Sequence, residues 1–579
     1  MAGNEHNPTS DSSRGSPAED RVQPGPRTPD KSNCIGLLLE DFLQPAWACA
    51  SVERLLRDTD VSVALVVLAP PRLDVLQHRD SRLRQIVEHG LVTAFERLDE
   101  RLLGKAPDPF DVHDLKPLLM GIPTMTTDLH HSDEGWHLSP KDVETISGAG
   151  LDALLYLGEE VAFSGDIRSA ATHGVWLFRH GSPPPYPGTR SGYWETLARD
   201  LTATSALVAV TEEGDRDLWT SVMGVRYVSP SRTRAALYWS SASFPQRALK
   251  SMREGAQQTA HVREMTAHER HLRQDKPTEN ANRRLIRCLP RFLSGAGRES
   301  MKAVLGNHQW FLAYTWGDEG IVPDLENCGR IVPPRDRYWA DPHVVMQGDQ
   351  YFVFVEEVLF SHKRGRIAVI VLDESGLIEG PMTVLERPYH LSYPFVFEHG
   401  GELYMIPESS GHGTIELYRC EQFPLRWEYV RDLMQDVFAL DTTVLHQAGK
   451  WWLFTCIRER EGAAVHTELF LFSSDDPIRG SWSAHAHNPI VCDARRARPA
   501  GAVFERDGRL LRPSQQAVPR YGYAVRINEI LAMTDREYLE SDVACLLPDW
   551  EPGLAGTHTL SRAGDLTIVD ACRWRSRFA

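Results

Sequence analysis

The chain has 579 residues with a formal net charge of −16 and a sequence pI near 5.8. That acidic balance argues against a nucleic-acid partner, because phosphate binding needs a basic surface. Hydrophobic residues make up 42% and charged residues 25%, the mix of a globular chain too long for a single core. No apolar run approaches the roughly 20 residues that cross a bilayer, and no basic-then-apolar leader opens the chain. The nine cysteines are scattered and form no Cys-x-x-Cys. Free thiols in a reducing cytoplasm, with no metal site, are the expectation.

Residues 1–32 are Pro, Ser, Gly, Asp and Arg with almost no apolar side chain, which predicts a disordered tail. From Cys34 the pattern changes. Ile35 to Leu39 is a short buried strand, Pro45 to Leu56 has helical spacing, and Val61 to Leu68 is a second buried strand. Strand, helix and strand in this space make a βαβ unit with a parallel sheet. Leu83 to Leu103 reads as helix, Leu151 to Leu157 as strand, and Ile167 to Thr172 as a short helix. Gly174 to Phe178 is a strand that empties into Arg179-His180-Gly181. In open α/β sheets ligands sit at the carboxyl ends of strands, so His180 is a candidate site residue. Tyr193 to Leu201 reads as helix and Ser205 to Val210 as strand. A charged helical stretch from Pro245 finishes an α/β domain over 33–273. Residues 274–305, with Arg283, Arg284, Arg287 and Arg291, read as a linker with a short helix.

The remainder, 306–579, repeats one phrase. Arg337-Tyr338-Trp339-Ala340-Asp341-Pro342 opens a strand that turns into Tyr351 to Glu357. Hairpins of the same plan open at Ser392-Tyr393-Pro394, Leu440-Asp441-Thr442, Arg498-Pro499 and His558-Thr559. Aligned on Pro342, Pro394, Thr442, Pro499 and Thr559, the steps are 52, 48, 57 and 60 residues. A hairpin recurring at that period predicts a five-bladed β-propeller. The first strand of each blade lines the central channel. Asp341, Tyr393, Asp441, Arg498 and His558 should therefore converge on one funnel. Glu357, Glu408 and Arg512 close second strands and should end one step outward at the same mouth. Acids, arginines and aromatic rings in a concave site suit sugar hydroxyls and ring faces.

The α/β domain resembles the folate-dependent formyltransferases that act on methionyl-tRNA and sugar amines. The resemblance rests on its opening, on Gly174 to Gly181, on Pro187-Gly188-Thr189-Arg190-Ser191-Gly192-Tyr193-Trp194, and on Thr211-Glu212-Glu213-Gly214-Asp215. It implies a Rossmann-like fold, an Asn-x-His pair and a later Asp. His180 matches the His and Asp215 the Asp, while Phe178 stands at the Asn position. A phenyl ring cannot donate to an oxyanion, so the resemblance implies a degenerate domain. No cofactor is expected unless the domain is active, in which case 10-formyltetrahydrofolate is implied.

Trp339-Ala340-Asp341-Pro342 resembles the opening of the five-bladed glycosidases, the arabinanase–xylosidase and invertase–levansucrase groups. The resemblance implies Asp341 as base or nucleophile and Asp441 as its modulator. The fourth blade carries Arg498-Pro499-Ala500-Gly501 where those enzymes keep the acid Glu, so Glu408 or Glu357 would serve as general acid, and Glu408 is preferred because it follows Pro407 and opens a Ser-Ser-Gly turn. Arg496 to Gly501, Arg512-Pro513-Ser514-Gln515 and Tyr521-Gly522-Tyr523-Ala524 resemble the propeller-like N-terminal domain of plant glucosamine inositolphosphorylceramide transferases. Together these imply a carbohydrate or glycoconjugate partner. Glycosidic-bond hydrolysis or transfer in the funnel is the first reading, with Glu357, Tyr393, Arg498, Arg512 and His558 binding substrate. A non-catalytic glycan-binding propeller and an amine formyltransferase are the alternatives.

Overall fold

The structure is a computed structural model. It describes residues 33–70, 79–104, 107–132, 135–158, 160–181, 190–254, 280–317 and 320–577. The tail 1–32, the run through Pro187 to Thr189 and the helical stretch beyond Glu254 lie outside the described residues.

Seven strands form one sheet near the N-terminus, in the order Gly214–Gly224, Thr202–Thr211, Val175–His180, Ala153–Tyr156, Asn33–Leu39, Val61–Leu68, Thr124–Thr126. The last five run parallel, and the first two are antiparallel to their neighbours. The sheet is therefore mixed rather than wholly parallel, because Thr211 turns through Gly214 into a hairpin. Alternate residues of Asn33–Leu39 enter opposite cores. Leu37 and Leu39 meet Trp47, Ala48 and Val52 of helix Ala46–Arg57, and Leu38 packs on the other face with Leu154 and Ile146. A strand buried on both faces reads as a continuous apolar run, as this one does.

Residues 281–305, expected to be a linker with a short helix, form one 25-residue helix, Ala281–Leu305. Asn280 caps it by accepting from the backbone N–H groups of Asn282 and Arg283. Its apolar stripe, Leu285 and Phe292, packs on Val92, Tyr193 and Leu197. That buried stripe gives the segment the tertiary support that a polar linker lacks.

The rest of the chain forms five antiparallel sheets, the blades of a propeller. Blade one is Arg337–Gln347, Gln350–Leu359, Gly365–Asp373 and Gly376–Leu385. Blades two, three and four begin at Ser392–His399, Ala439–Gln447 and Phe504–Arg506. Blade five is a composite. Its inner strands, Leu560–Ala563 and Leu566–Ser576, come from the C-terminal end, and its outer strands, Gly306–Trp316 and Gly329–Ile331, come from the start of the region. The ladder from Gly306↔Ser576 to Trp316↔Leu566 closes the ring.

The two domains are bonded together. Trp219 and Cys492 share one buried cluster, and Ala494 N–H donates to the Val222 carbonyl at 2.9 Å. Arg247 grips Glu468 with two nitrogens, at 2.6 and 2.9 Å, and reaches Glu459 at 2.9 Å.

Candidate functional site

Three blades place their opening residue by the same device. The ladder slips by a bulge between Ala340 and His343, between Ser392 and Phe395, and between Leu440 and Thr443. Within each bulge the backbone turns left-handed, at φ +52° for Asp341, +43° for Tyr393 and +51° for Asp441. Bulges re-aim side chains at such rims, and a left-handed non-glycine residue costs about 1–3 kcal/mol each. Blade four uses Gly501 (φ +135°), where a Cβ would lie 2.0 Å from the Leu560 carbonyl oxygen.

Two buried charge networks result. In the first, Asp341 accepts from Thr559 Oγ1 at 2.9 Å and from Tyr393 N–H at 3.2 Å. His558 Nε2 lies 3.3 Å from Asp341 Oδ1. Asp570, fully buried on the second strand of blade five, accepts from the backbone N–H groups of Asp341, His558 and Thr559. Its Oδ2 lies 2.6 Å from His558 Nδ1, an ion contact rather than an aligned hydrogen bond. Burial alone would lower the His558 pKa, yet Asp570 and Asp341 hold it up at about 9. Burial lifts Asp341 to about 7, against the pull of His558. The candidate ligand atoms of Asp341, His558 and Asp570 all lie within 4.8 Å of one another, a spacing that could hold a cation. A protonated His558 meets the same need for positive charge.

In the second network, Arg498 binds Asp441 through Nε at 2.5 Å and Nη2 at 3.0 Å. Arg498 Nη2 also donates to Glu408 at 3.2 Å, and Gln515 Nε2 donates to Asp441 at 2.5 Å. Burial raises the Glu408 pKa well above the usual carboxylate range; Arg498 opposes this and Asp441 adds to it. Tyr521 joins the networks. Its hydroxyl is 3.1 Å from His558 Nε2. Its ring lies 4.8 Å from the Arg498 guanidinium carbon and stacks on His466 at 5.0 Å.

The centre thus brings together Asp341, Asp441, Glu408, Arg498 and His558 from five different blades. The other candidates face elsewhere. Tyr393 supplies only its backbone N–H to Asp341; its ring sits in the core between blades, and its hydroxyl accepts from Gly501 N–H at 2.7 Å. Glu357 is clamped by Arg337, Arg366 and Trp339 Nε1. Arg512 is spent on Glu540 and the Arg496 carbonyl within blade four. Glu356, one residue from Glu357, accepts from Tyr338 Oη at 3.2 Å and pairs with His390 at 3.0 Å. Its charge is felt by Asp341 and Tyr521. Asp570, Gln515, Tyr521, His466 and Glu356 were absent from the sequence-derived set. Asp570, Gln515 and Glu356 sit inside second strands, and Tyr521 and His466 lie outside the strands altogether.

In the α/β domain, His180 stacks on Tyr238 with ring centroids 3.9 Å apart and bonds Ser241 Oγ at 2.9 Å. Burial, and then Arg234, push its pKa down to about 3. Phe178 is buried against Trp47, edge to face at 4.8 Å. With Phe110 and Arg190 these line a cavity of about 310 Å³. Asp215 is elsewhere: His180 pairs with Ser205, Asp215 pairs with Val210, and the Asp215 carboxylate is bonded to Arg179 at 2.9 Å. The two are five positions apart along the strand between them.

A family model described as the N-terminal region of glucosamine inositolphosphorylceramide transferase 1 matches residues 332–555. The rice relative (Oryza sativa subsp. japonica) of that name is 37% identical over 207 residues, 35% of this chain and 28% of the relative. The Arabidopsis thaliana relative is 34% identical over 209 residues, 36% of this chain and 27% of the relative. The match thus spans just over a quarter of the curated relatives' length. Among solved structures, the catalytic domain of a GH62 alpha-L-arabinofuranosidase from Coprinopsis cinerea aligns at TM-score 0.32 and 11% identity, covering 45% of this chain and 97% of that one. A family 117 glycoside hydrolase from Zobellia galactanivorans aligns at TM-score 0.30 and 12% identity, covering 46% and 91%. The blade count rests on the five sheets themselves, and the propeller is similar over most of its length to the N-terminal region of the glucosamine inositolphosphorylceramide transferases.

Proposed function

We propose that this chain is a carbohydrate-active protein whose propeller takes the sugar of a glycoconjugate at its mouth, against Tyr521. One observation carries the reading: an aromatic ring spans two buried charge networks and faces a cavity of about 1080 Å³. An aromatic face backed by fixed polar groups suits a sugar ring. The similarity to relatives named for glucosamine inositolphosphorylceramide transfer supports the same substrate class.

Binding without bond cleavage has the stronger support. Both oxygens of Asp441 and of Asp341 are already engaged, and Arg498 stands where a fourth-blade acid would be. Cleavage or transfer keeps one supporting observation. Burial raises the Glu408 pKa well above the usual carboxylate range, it shares Arg498 with Asp441, and glycosidic chemistry uses two carboxyl groups held in different environments. Formyl transfer with 10-formyltetrahydrofolate, on a formyltransferase-like fold, ranks last, since His180 is bonded to Ser241 and Asp215 to Arg179. A glycan array with the full chain tests binding: Tyr521→Ala should remove the signal, and a wild-type chain that retains no glycan would sink the reading. Asp341→Asn and Glu408→Gln separate the two modes, since retained binding with no turnover in any variant or the wild type marks a binding protein.

A further inference from the structure

The cavity above the propeller mouth is walled by both domains. Seven arginines line it, against five carboxylates, and three of the carboxylates lie beside other basic groups. Glu100 and Asp108 gather near Arg234, whose Nη1 is bonded to Glu96 at 2.8 Å. Glu299 lies toward Arg520 and Lys302, near His308. Arg226 has a different setting. Its charged neighbour is Arg232, and among the described residues no carboxylate pairs with it. Burial, and then Arg232, push its pKa down, as expected of a cation with like charge beside it. Arg232 gives its Nε to the Leu103 carbonyl at 2.6 Å, and no ion pair to a carboxylate is found for it among the described residues. From the propeller side, Arg458 lies over the Phe438 ring at 3.9 Å, with its buried Nε unbonded among the described residues.

The positive path continues inward. Burial, then Arg498 and then Arg226, lower the pKa of His466, which contacts Arg498 Nη1 at 3.0 Å and stacks on Tyr521. Arginines held in a protein-walled space with no carboxylate paired to them are costly, and an anionic ligand relieves that cost. The guanidinium fork fits a phosphate better than it fits any neutral sugar hydroxyl.

We propose that this interdomain cavity binds the phosphate of a phosphorylated sugar, with Arg226 and Arg232 of the α/β domain and Arg458 of the propeller as the clamp and Tyr521 under the sugar ring. The proposal rests on the sugar-binding reading above and extends it, because Arg226 and Arg232 lie outside the matched residues 332–555. It also assigns the α/β domain a part in recognition that does not depend on His180. The same phosphate chemistry could arrive on a soluble sugar phosphate or on a glycolipid headgroup.

The test is calorimetric titration of the full chain with inorganic pyrophosphate, with a panel of hexose phosphates and with the matching neutral hexoses. Pyrophosphate should bind, its affinity should fall steeply with salt, and a hexose phosphate should bind at least tenfold more tightly than its neutral hexose. The Arg226→Gln, Arg458→Gln double variant should weaken every phosphate ligand at least tenfold and leave neutral-sugar binding unchanged. Arg226→Gln removes a like-charge contact, so its melting temperature should not fall, and Arg226→Glu provides a second, reversed-charge check. Vesicles containing phosphatidylinositol 4-phosphate test the lipid source; capture by them that is lost in the double variant supports the clamp and assigns it to a headgroup. A neutral glycan that binds while no phosphate does would overturn this proposal and leave the sugar reading standing. Pyrophosphate binding that no sugar improves would keep the clamp and sink the sugar reading. Phosphate binding unaffected by the double variant would also overturn it.

Discussion

Two buried histidines, one in each domain, end in opposite charge states. His180 lies among Trp47, Phe178 and Tyr238, with Arg234 as its charged neighbour, and its pKa falls to about 3. His558 lies between Asp570 and Asp341, with Trp310 over its ring, and its pKa rises to about 9. Burial opposes the charged form at both sites; the difference is whether carboxylates are buried alongside. The α/β site therefore holds a neutral histidine among aromatic rings, and the propeller centre is a set of mutually dependent ions.

The largest break in that contrast should come from Arg498→Ala. It leaves Asp441 and Glu408 buried without their shared cation, and removing one partner of a buried pair costs about 3–5 kcal/mol. Urea unfolding should show that loss at pH 7. Next is the acid limb. The folded pKa of His180 is depressed, so its contribution is present above about 6.5 and is lost as pH falls toward about 3. At 1.36 kcal/mol per unit that is up to roughly 5 kcal/mol. His180→Gln should flatten this limb in unfolding midpoints measured across pH.

The alkaline limb has the opposite sign. The folded pKa of His558 is raised, so its stabilisation is complete below about 6.5 and is lost as pH rises through about 9. Asp341, raised to about 7 from 3.8, loses stability in the same direction at lower pH. His558→Gln should remove roughly 3 kcal/mol of slope between pH 6.5 and 9; an unchanged slope would mean that the histidine is neutral. The smallest effect should come from Arg54→Ala, which breaks a part-exposed contact with Glu459. Solvent screening limits it to under about 1 kcal/mol, and a larger loss in thermal melts would show that the interdomain ion cluster acts as one unit.

The blades were legible because a hairpin repeats its turn and its alternation at a steady step. The same alignment found Asp341, Asp441, Arg498 and His558, since each opens an inner strand. It misjudged Tyr393, because the left-handed bulge that presents an Asp at this point sends a large ring into the interblade core. Glu357 and Glu356 lie on opposite faces of one strand, and only the position of Arg337 and Arg366 decides which acid is clamped. Asp570 carries no local signal at all. Its role depends on Asp341, 229 residues away in sequence, and on the His558 ring. In the first domain the strand pattern was readable, but the antiparallel hairpin Thr202–Thr211 with Gly214–Gly224 was not. A buried apolar strand reads the same in either direction.

Strand Leu566–Ser576 has a second consequence, in the order of assembly. It pairs with Gly306–Trp316, which directly follows the helix packed on the α/β domain. Contacts this distant in sequence form late, because loop closure must come first. The same strand carries Asp570, without which His558 and Asp341 lack their shared partner. The acid centre therefore cannot be complete in an open ring.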